Sequence, residues 1–248
     1  TDGYVGGQAV VEYFRGLLLT LKGTSSEAMS VSVKWDGAPA VVCGTNPDNG
    51  KFFVGTKAVF AKAAKINYTK KDIAANHGTD ELGQKLLKCL VHLKKLNIQG
   101  VVQGDLLFID DSITRKNIDG KPHLTFTPNT ITYAVPEDGD LAKQIDRAKL
   151  GIIFHTTYAG DSLATMNAQG GADVSSFAQS PDVFFDNASY KDVSGSAKFT
   201  ADESQQFYNS IDKLETLLNS VPRDLSSVLG QNTDFVPMFQ MYINAMVK

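Results

Sequence analysis

The sequence predicts an α+β fold: a largely antiparallel sheet with packed helices toward the N-terminus and a helical segment at the C-terminal end. Three observations predict it. Short stretches of alternating or continuous apolar residues, bounded by Asn, Gly and Pro, fill much of the region from 31 to 156. Helical three- and four-residue spacing is concentrated at 8–22, 81–96 and beyond 200. Turn signals such as Asn49-Gly50 and Pro128-Asn129 join neighbouring strand-like runs, as hairpins require.

Taken in order, residues 8–22 set Ala9, Val10, Tyr13, Leu17 and Leu21 at helical spacing, and Gly23 closes the helix. Val31-Ser32-Val33 alternates, Ala40-Val41-Val42-Cys43 is continuously apolar, and Asn46-Pro47 and Asn49-Gly50 lead into Phe52-Phe53-Val54. This stretch reads as strand, tight turn, strand, hairpin, strand. Leu82, Leu86, Leu90 and Leu93 predict a helix over 81–96, stopped by Asn97 and Gly100, and 101–109 follows as a strand. Residues 123–127 and 130–135 flank Pro128-Asn129 as an antiparallel pair. A short helix over 141–150 breaks at Gly151 before the strand-like Ile152-Ile153-Phe154-His155-Thr156. Residues 167–198 are rich in Gly, Ser, Ala and Asp, and only Val183-Phe184-Phe185 is strongly strand-like, so a looped connection is expected. Thr200 with Glu203 forms a capping-box signature ahead of Phe207, Ile211, Leu214, Leu217 and Leu218, and 236–247 carries a further apolar helical pattern. These boundaries divide the chain into a core over 1–198 and a helical subdomain or insertion over 199–248.

The chain has 248 residues, of which 42% are hydrophobic, enough for a sizeable buried core. No apolar run approaches the roughly 20 residues of a membrane span. No charged n-region with an apolar h-region follows Thr1, so no export signal is expected. Cys43 and Cys89 form neither a disulfide scaffold nor a zinc-spacing motif, which points to a reducing cytoplasm. His77, His92, His123 and His155 are scattered, no P-loop is present, and Gly170-Gly171 lacks the context of a dinucleotide fold. The net charge is −3, yet residues 51–95 hold ten lysines, among them Lys57, Lys62, Lys65, Lys70 and Lys71, against only Asp72, Asp80 and Glu81. Such a stretch could steer a polyanion.

The most informative segment is Val33-Lys34-Trp35-Asp36-Gly37-Ala38-Pro39-Ala40, a lysine at a strand end followed by a turn and a second apolar strand. Burial beside neighbouring cations or a metal would make Lys34 a neutral, nucleophilic amine able to attack the α-phosphorus of ATP. Gly37 would let the backbone turn tightly, and Pro39 would stiffen the return. Three further segments join it. Val54-Gly55-Thr56-Lys57 follows the hairpin and can run beside the lysine strand. The run Val101-Val102-Gln103-Gly104-Asp105-Leu106 is interrupted by a glycine and an acid, as if something approached its backbone. Phe154 sits where a ring could stack on a base. Asn129, after Pro128, either satisfies its turn or lies near a nucleotide.

These segments, in this order, resemble the covalent nucleotidyltransferase superfamily of ATP-dependent DNA ligases, RNA ligases and mRNA capping enzymes. The RNA-ligase-like proteins of tailed phages are the most similar. The resemblance covers roughly residues 28–160 and implies an antiparallel, ATP-grasp-like ligase adenylation domain. By it, Lys34 is the nucleophile that forms lysyl-AMP, and Asp36 and Gly37 complete motif I. Lys57 stands where an arginine often contacts phosphate. Gly104 and Asp105 match motif III, whose acid binds ribose, and Phe154 matches the base-stacking aromatic of motif IIIa. Asp105 replaces the usual glutamate, and His155 stands where an acid is common. Segments matching motifs IV and V are missing, which predicts that they lie beyond Lys248. The implied cofactors are ATP and magnesium, and the implied partner is RNA or DNA bearing 5′-phosphate and 3′-hydroxyl ends, held by Lys62, Lys65, Lys70 and Lys71. The implied setting is the cytoplasm, that of the host if the chain is phage-encoded. Two other functions remain open: a non-catalytic nucleotide- or nucleic-acid-binding protein, and a GTP-dependent capping guanylyltransferase.

Overall fold

The computed structural model describes residues 3–22, 32–189, 198–222 and 235–247, so the expectations for Gly23 and Val31 fall outside the described residues. It is a mixture of helices and largely antiparallel sheets that divides into two compact units, Val31–Tyr190 and the pair of segments Thr1–Ser30 and Lys191–Lys248. The division differs from the expected one at 198/199, because the N-terminal helix shares a unit with the C-terminal segment.

The larger unit opens with the hairpin of β1 (Ala40–Thr45) and β2 (Phe52–Gly55), closed by the turn in which Gly50 takes a φ of 68°. A 3-10 turn, Lys57–Phe60, and two helices follow, α2 (Lys70–His77) and α3 (Glu81–Leu93). Asp80 caps α3, and Leu86, Cys89 and Leu93, at successive helical turns, are fully buried. Two long strands, β3 (Val101–Ile109) and β7 (Leu150–Ala159), form the middle of the sheet. Its order is β2-β1-β3-β7, with the far edge of β7 shared by β8 (Asn167–Gly170) and β9 (Val183–Asn187). Only β9 runs parallel to its neighbour. The region expected to be a looped connection thus contributes two short strands.

Between β3 and β7 the chain builds a second, three-stranded antiparallel sheet, β4 (Thr114–Ile118), β5 (Lys121–Phe126) and β6 (Tyr133–Pro136), and then α4 (Asp140–Arg147). One face of the large sheet packs on α3 through Val41, Cys43, Val102, Leu106, Ile152 and Phe154. The opposite face carries two smaller clusters, one of which includes Leu124 and Phe126 of the small sheet.

In the smaller unit, α1 (Gly3–Leu21) packs against α5 (Ala201–Ser220) through Val11, Leu18 and Ile211. The expected capping box of Thr200 and Glu203 is present. A further helix, α6, spans Phe235–Val247. Among the described residues no helix is long and apolar enough to cross a membrane.

Candidate functional site

The sheet face opposite α3 is covered at two places and open between them. Toward one end Val42, Phe53 and Val101 pack with Val59 and Leu163, and with the partly buried Phe60 and Tyr158. Toward the other, Leu107, Phe108 and Ile153 pack with Leu124, Phe126 and Ile145. The register row of Ala40 and Asp105 lies between the two, and there Ala40, Asp105, His155 and Thr156 are only partly buried. Strand alternation from Phe154, which packs on the α3 face, turns His155 this way, and a bulge brings Thr156 beside it. The register of β3 and β7 slips between Gln103 and Gly104, so that Gln103 faces Thr156 while Gly104 faces Phe154, and His155 is the extra residue of the bulge. A bulge re-aims a side chain, here that of Thr156, and His155 Nε2 lies 3.4 Å from Asp105 Oδ1. Its other ring nitrogen, Nδ1, lies 2.8 Å from the Thr156 hydroxyl. Beside them the Tyr158 hydroxyl donates to Gln103 Oε1 at 2.7 Å, and burial raises the Tyr158 pKa.

The lysine turn is seated on this row. A Cβ at Gly37 would stand 2.5 Å from the Asp105 Cβ, so only glycine lets the turn lie against that carboxylate's strand. The Ala38 N–H donates to Leu106 O at 3.0 Å, and the Leu106 N–H donates to Pro39 O at 3.1 Å. On the other side of the lysine, the Val33 N–H donates to Ala188 O at 2.7 Å, and Ser32 bridges Ser189. Lys34 itself is exposed and lies outside any regular strand, so the burial expected for it is missing.

The Asp36 carboxylate is gripped by the β5–β6 connection. Its Oδ2 accepts from the Thr130 N–H at 2.8 Å, the Thr130 hydroxyl at 2.7 Å and the Ile131 N–H at 2.8 Å. Its Oδ1 accepts from Asn129 Nδ2 at 2.8 Å. These bonds, the Thr130 hydroxyl first and the Asn129 amide next, hold the carboxyl far below the usual carboxylate range. The Asp36 N–H donates to the Tyr133 hydroxyl at 2.8 Å, and Trp35 lies against the Tyr133 ring with centroids 5.3 Å apart. Asn129 therefore holds the lysine turn.

The remaining expected residues divide. Gly55 pairs with Val42 and ends β2, and Lys57, exposed, opens the 3-10 turn two residues further on. Gly104 is a glycine because β7 approaches it: a Cβ there would stand 2.6 Å from Ile153 O. The expected close approach to its backbone is thus made by β7. Phe154 corrects the sequence reading most. It is fully buried on the α3 face, edge-on to Phe177 at 5.4 Å, and cannot stack on a base in the slot. Lys62, Lys65, Lys70 and Lys71 are all exposed, and Lys65 donates to Asn76 O at 3.1 Å. By contrast Lys85 pairs with Glu81, Lys88 with Asp110 and Asp111, and Lys95 with Asp182, so part of the lysine-rich stretch is neutralised locally. His155, Thr130 and Tyr133 are the groups that sequence reasoning did not assign. The unplaced Asn129 after Pro128 was the one visible signal of the Asp36 contacts.

Among the described residues no group of three or more His, Cys, Asp or Glu could hold a metal ion. A family model described as a family of unknown function, DUF6267, matches residues 1–248. No curated protein and no solved structure matches the chain.

Proposed function

The chain belongs to the DUF6267 family, and we propose that it is a nucleic-acid ligase-like nucleotidyltransferase with an adenylation-type fold, in which Lys34 takes AMP from ATP and passes it to a 5′-phosphate end. The observation that carries the reading is the seating of Gly37 on Asp105, which brings the lysine-bearing turn against the carboxylate of the polar slot. Two segments about 70 residues apart in sequence, each picked out by its residue types, meet there.

In the proposed reaction the free amine of Lys34 attacks the α-phosphorus, an N–P bond forms, and the bond from that phosphorus to the bridging oxygen breaks as pyrophosphate leaves. The amine proton is lost. An oxygen of a nucleic-acid 5′-phosphate then displaces the lysine, and a 3′-hydroxyl attacks that 5′-phosphate and releases AMP, sealing the strand. Asp105 is within reach of the ribose hydroxyls or of a phosphate-bound cation, and His155 stands beside it. Magnesium fits as an ion carried by the triphosphate, because it binds through one or two carboxylates plus phosphate oxygens rather than a protein cage, and it would neutralise phosphate charge. Lys57, Lys62, Lys65, Lys70 and Lys71 would hold the polyanion.

A second reading, a non-catalytic nucleotide- or nucleic-acid-binding protein, is favoured by the exposure of Lys34 and the burial of Phe154. One experiment separates them. The protein is incubated with magnesium and ATP or GTP labelled at the α-phosphate, then denatured, beside a Lys34→Ala control. The expected result is label from ATP that survives denaturation and is missing from the control. Label from GTP alone favours capping guanylyl transfer, and no label from either nucleotide overturns the enzyme in favour of the binding protein.

A further inference from the structure

We infer that residues 129–131 are a latch on the lysine turn, and that Asn129 and Thr130 are positioning residues for Lys34. The inference rests on the proposed nucleotidyl transfer for its kinetic consequence, while its geometry can be tested without any nucleotide.

Four hydrogen bonds of 2.7–2.8 Å on one carboxylate exceed what an Asp-Gly turn needs, and none of the donors belongs to the turn itself. They come from the β5–β6 connection, 93 to 95 residues further along the chain. Charge-assisted bonds to a carboxylate are about twice as strong as neutral ones, so the contact fixes the turn even at an exposed place. The connection is itself braced, since the Thr127 and Thr132 hydroxyls lie 2.8 Å apart across its base.

Lys34 lies between two fixed points. Val33 is held by Ala188, and Asp36 is held by Tyr133 through its N–H and by the latch through its carboxylate. Only Lys34 and Trp35 separate them. The path of the chain at Lys34 is therefore set in part by the small sheet, which contributes none of the slot's own residues. Asn129, Thr130 and Ile131 belong to no core cluster, so removing their side chains should leave the fold standing.

The test uses Thr130→Ala, the double variant Asn129→Ala/Thr130→Ala, and Thr130→Ser, with two readouts. One is covalent labelling as a function of ATP concentration. The other is emission from Trp35, the protein's single tryptophan, which adjoins Asp36 and stacks on Tyr133. A misplaced nucleophile costs rate rather than nucleotide binding. The double variant is expected to label about 10- to 100-fold more slowly at saturating ATP, with half-saturation changed less than about two-fold. Its Trp35 emission shifts, and Thr130→Ser restores both signals toward wild type. Unchanged emission in the double variant overturns the latch. That holds also if labelling slows, because Thr130 would then act on the nucleotide and not on the turn. If the wild-type protein takes no label, the transfer reading fails by itself. The latch is then decided by Trp35 emission alone, a shift supporting it and no shift overturning it.

Discussion

Asp36 shows how one carboxylate can be tied to chain geometry at a site whose residue types suggest ligand binding. Its carboxyl is held below the ordinary carboxylate range by the Thr130 hydroxyl, the Asn129 amide and the N–H groups of Ile131 and Thr130. The folded pKa thus lies below the unfolded one, so folding favours the ionised form. The resulting contribution to stability is fully present above the unfolded value of about 3.9, and it is lost only as pH falls through the lower folded value. An acid titration followed by Trp35 emission should therefore stay level down through about pH 4 and change only in stronger acid. In Asn129→Ala/Thr130→Ala the change should move up toward the ordinary carboxylate range. A wild-type transition centred in that ordinary range would show that the four hydrogen bonds do not persist in solution. Asp105 differs from Asp36: among the described residues its one ion-pair partner is His155, at 3.4 Å.

At the scale of the element, alternation along β7 and its bulge together decide which side chains the slot receives. Strands alternate with a period of two, so Phe154 and His155 must face opposite sides, and the packing of Phe154 with the α3 face leaves His155 for the slot. Replacing Phe154 by Ala should cost about 3–5 kcal/mol of stability, measured by denaturant unfolding, as expected for a buried ring with no room to collapse. A ring that stacked on a nucleotide base would give the opposite pattern, a weaker hold on nucleotide with little loss of stability. The small sheet β4–β6 has its own two-sided role. Its inward residues Leu124, Phe126 and Val135 pack with β3 and α4, while the β5–β6 connection grips the lysine turn. Helix α3 shows the reverse case, a role set almost wholly by spacing. Leu86, Cys89 and Leu93 recur every three or four residues and cover the sheet face.

On the scale of the whole molecule, each unit holds its own apolar clusters. The three larger clusters lie entirely within Val31–Tyr190, and that of Val11, Leu18 and Ile211 lies entirely within the other unit. A fragment of residues 31–190 should accordingly retain a single cooperative urea transition, followed by far-UV circular dichroism. A gradual, non-cooperative loss of signal would show that the fragment needs the helices. The sequence by itself was enough for the elements with strong periodicity: the hairpin at 40–55, helix α3, strands β3 and β7, and the Thr200 capping box. It also singled out the two segments that meet at the site, by their order and by their resemblance to nucleotidyltransferase motifs. It did not show helix α2, strand β4 or the pairing of α1 with α5. Nor did it show that Phe154 turns away, that Gly104 makes room for β7, or that Asp36 is bound by residues 129–131. The physical reason is the range of the interactions. Hydrophobic periodicity and capping act within a few residues and can be read along the chain. A bulge, a shared strand edge and a carboxylate gripped from more than 90 residues away depend on which surfaces meet, and tertiary packing alone decides that.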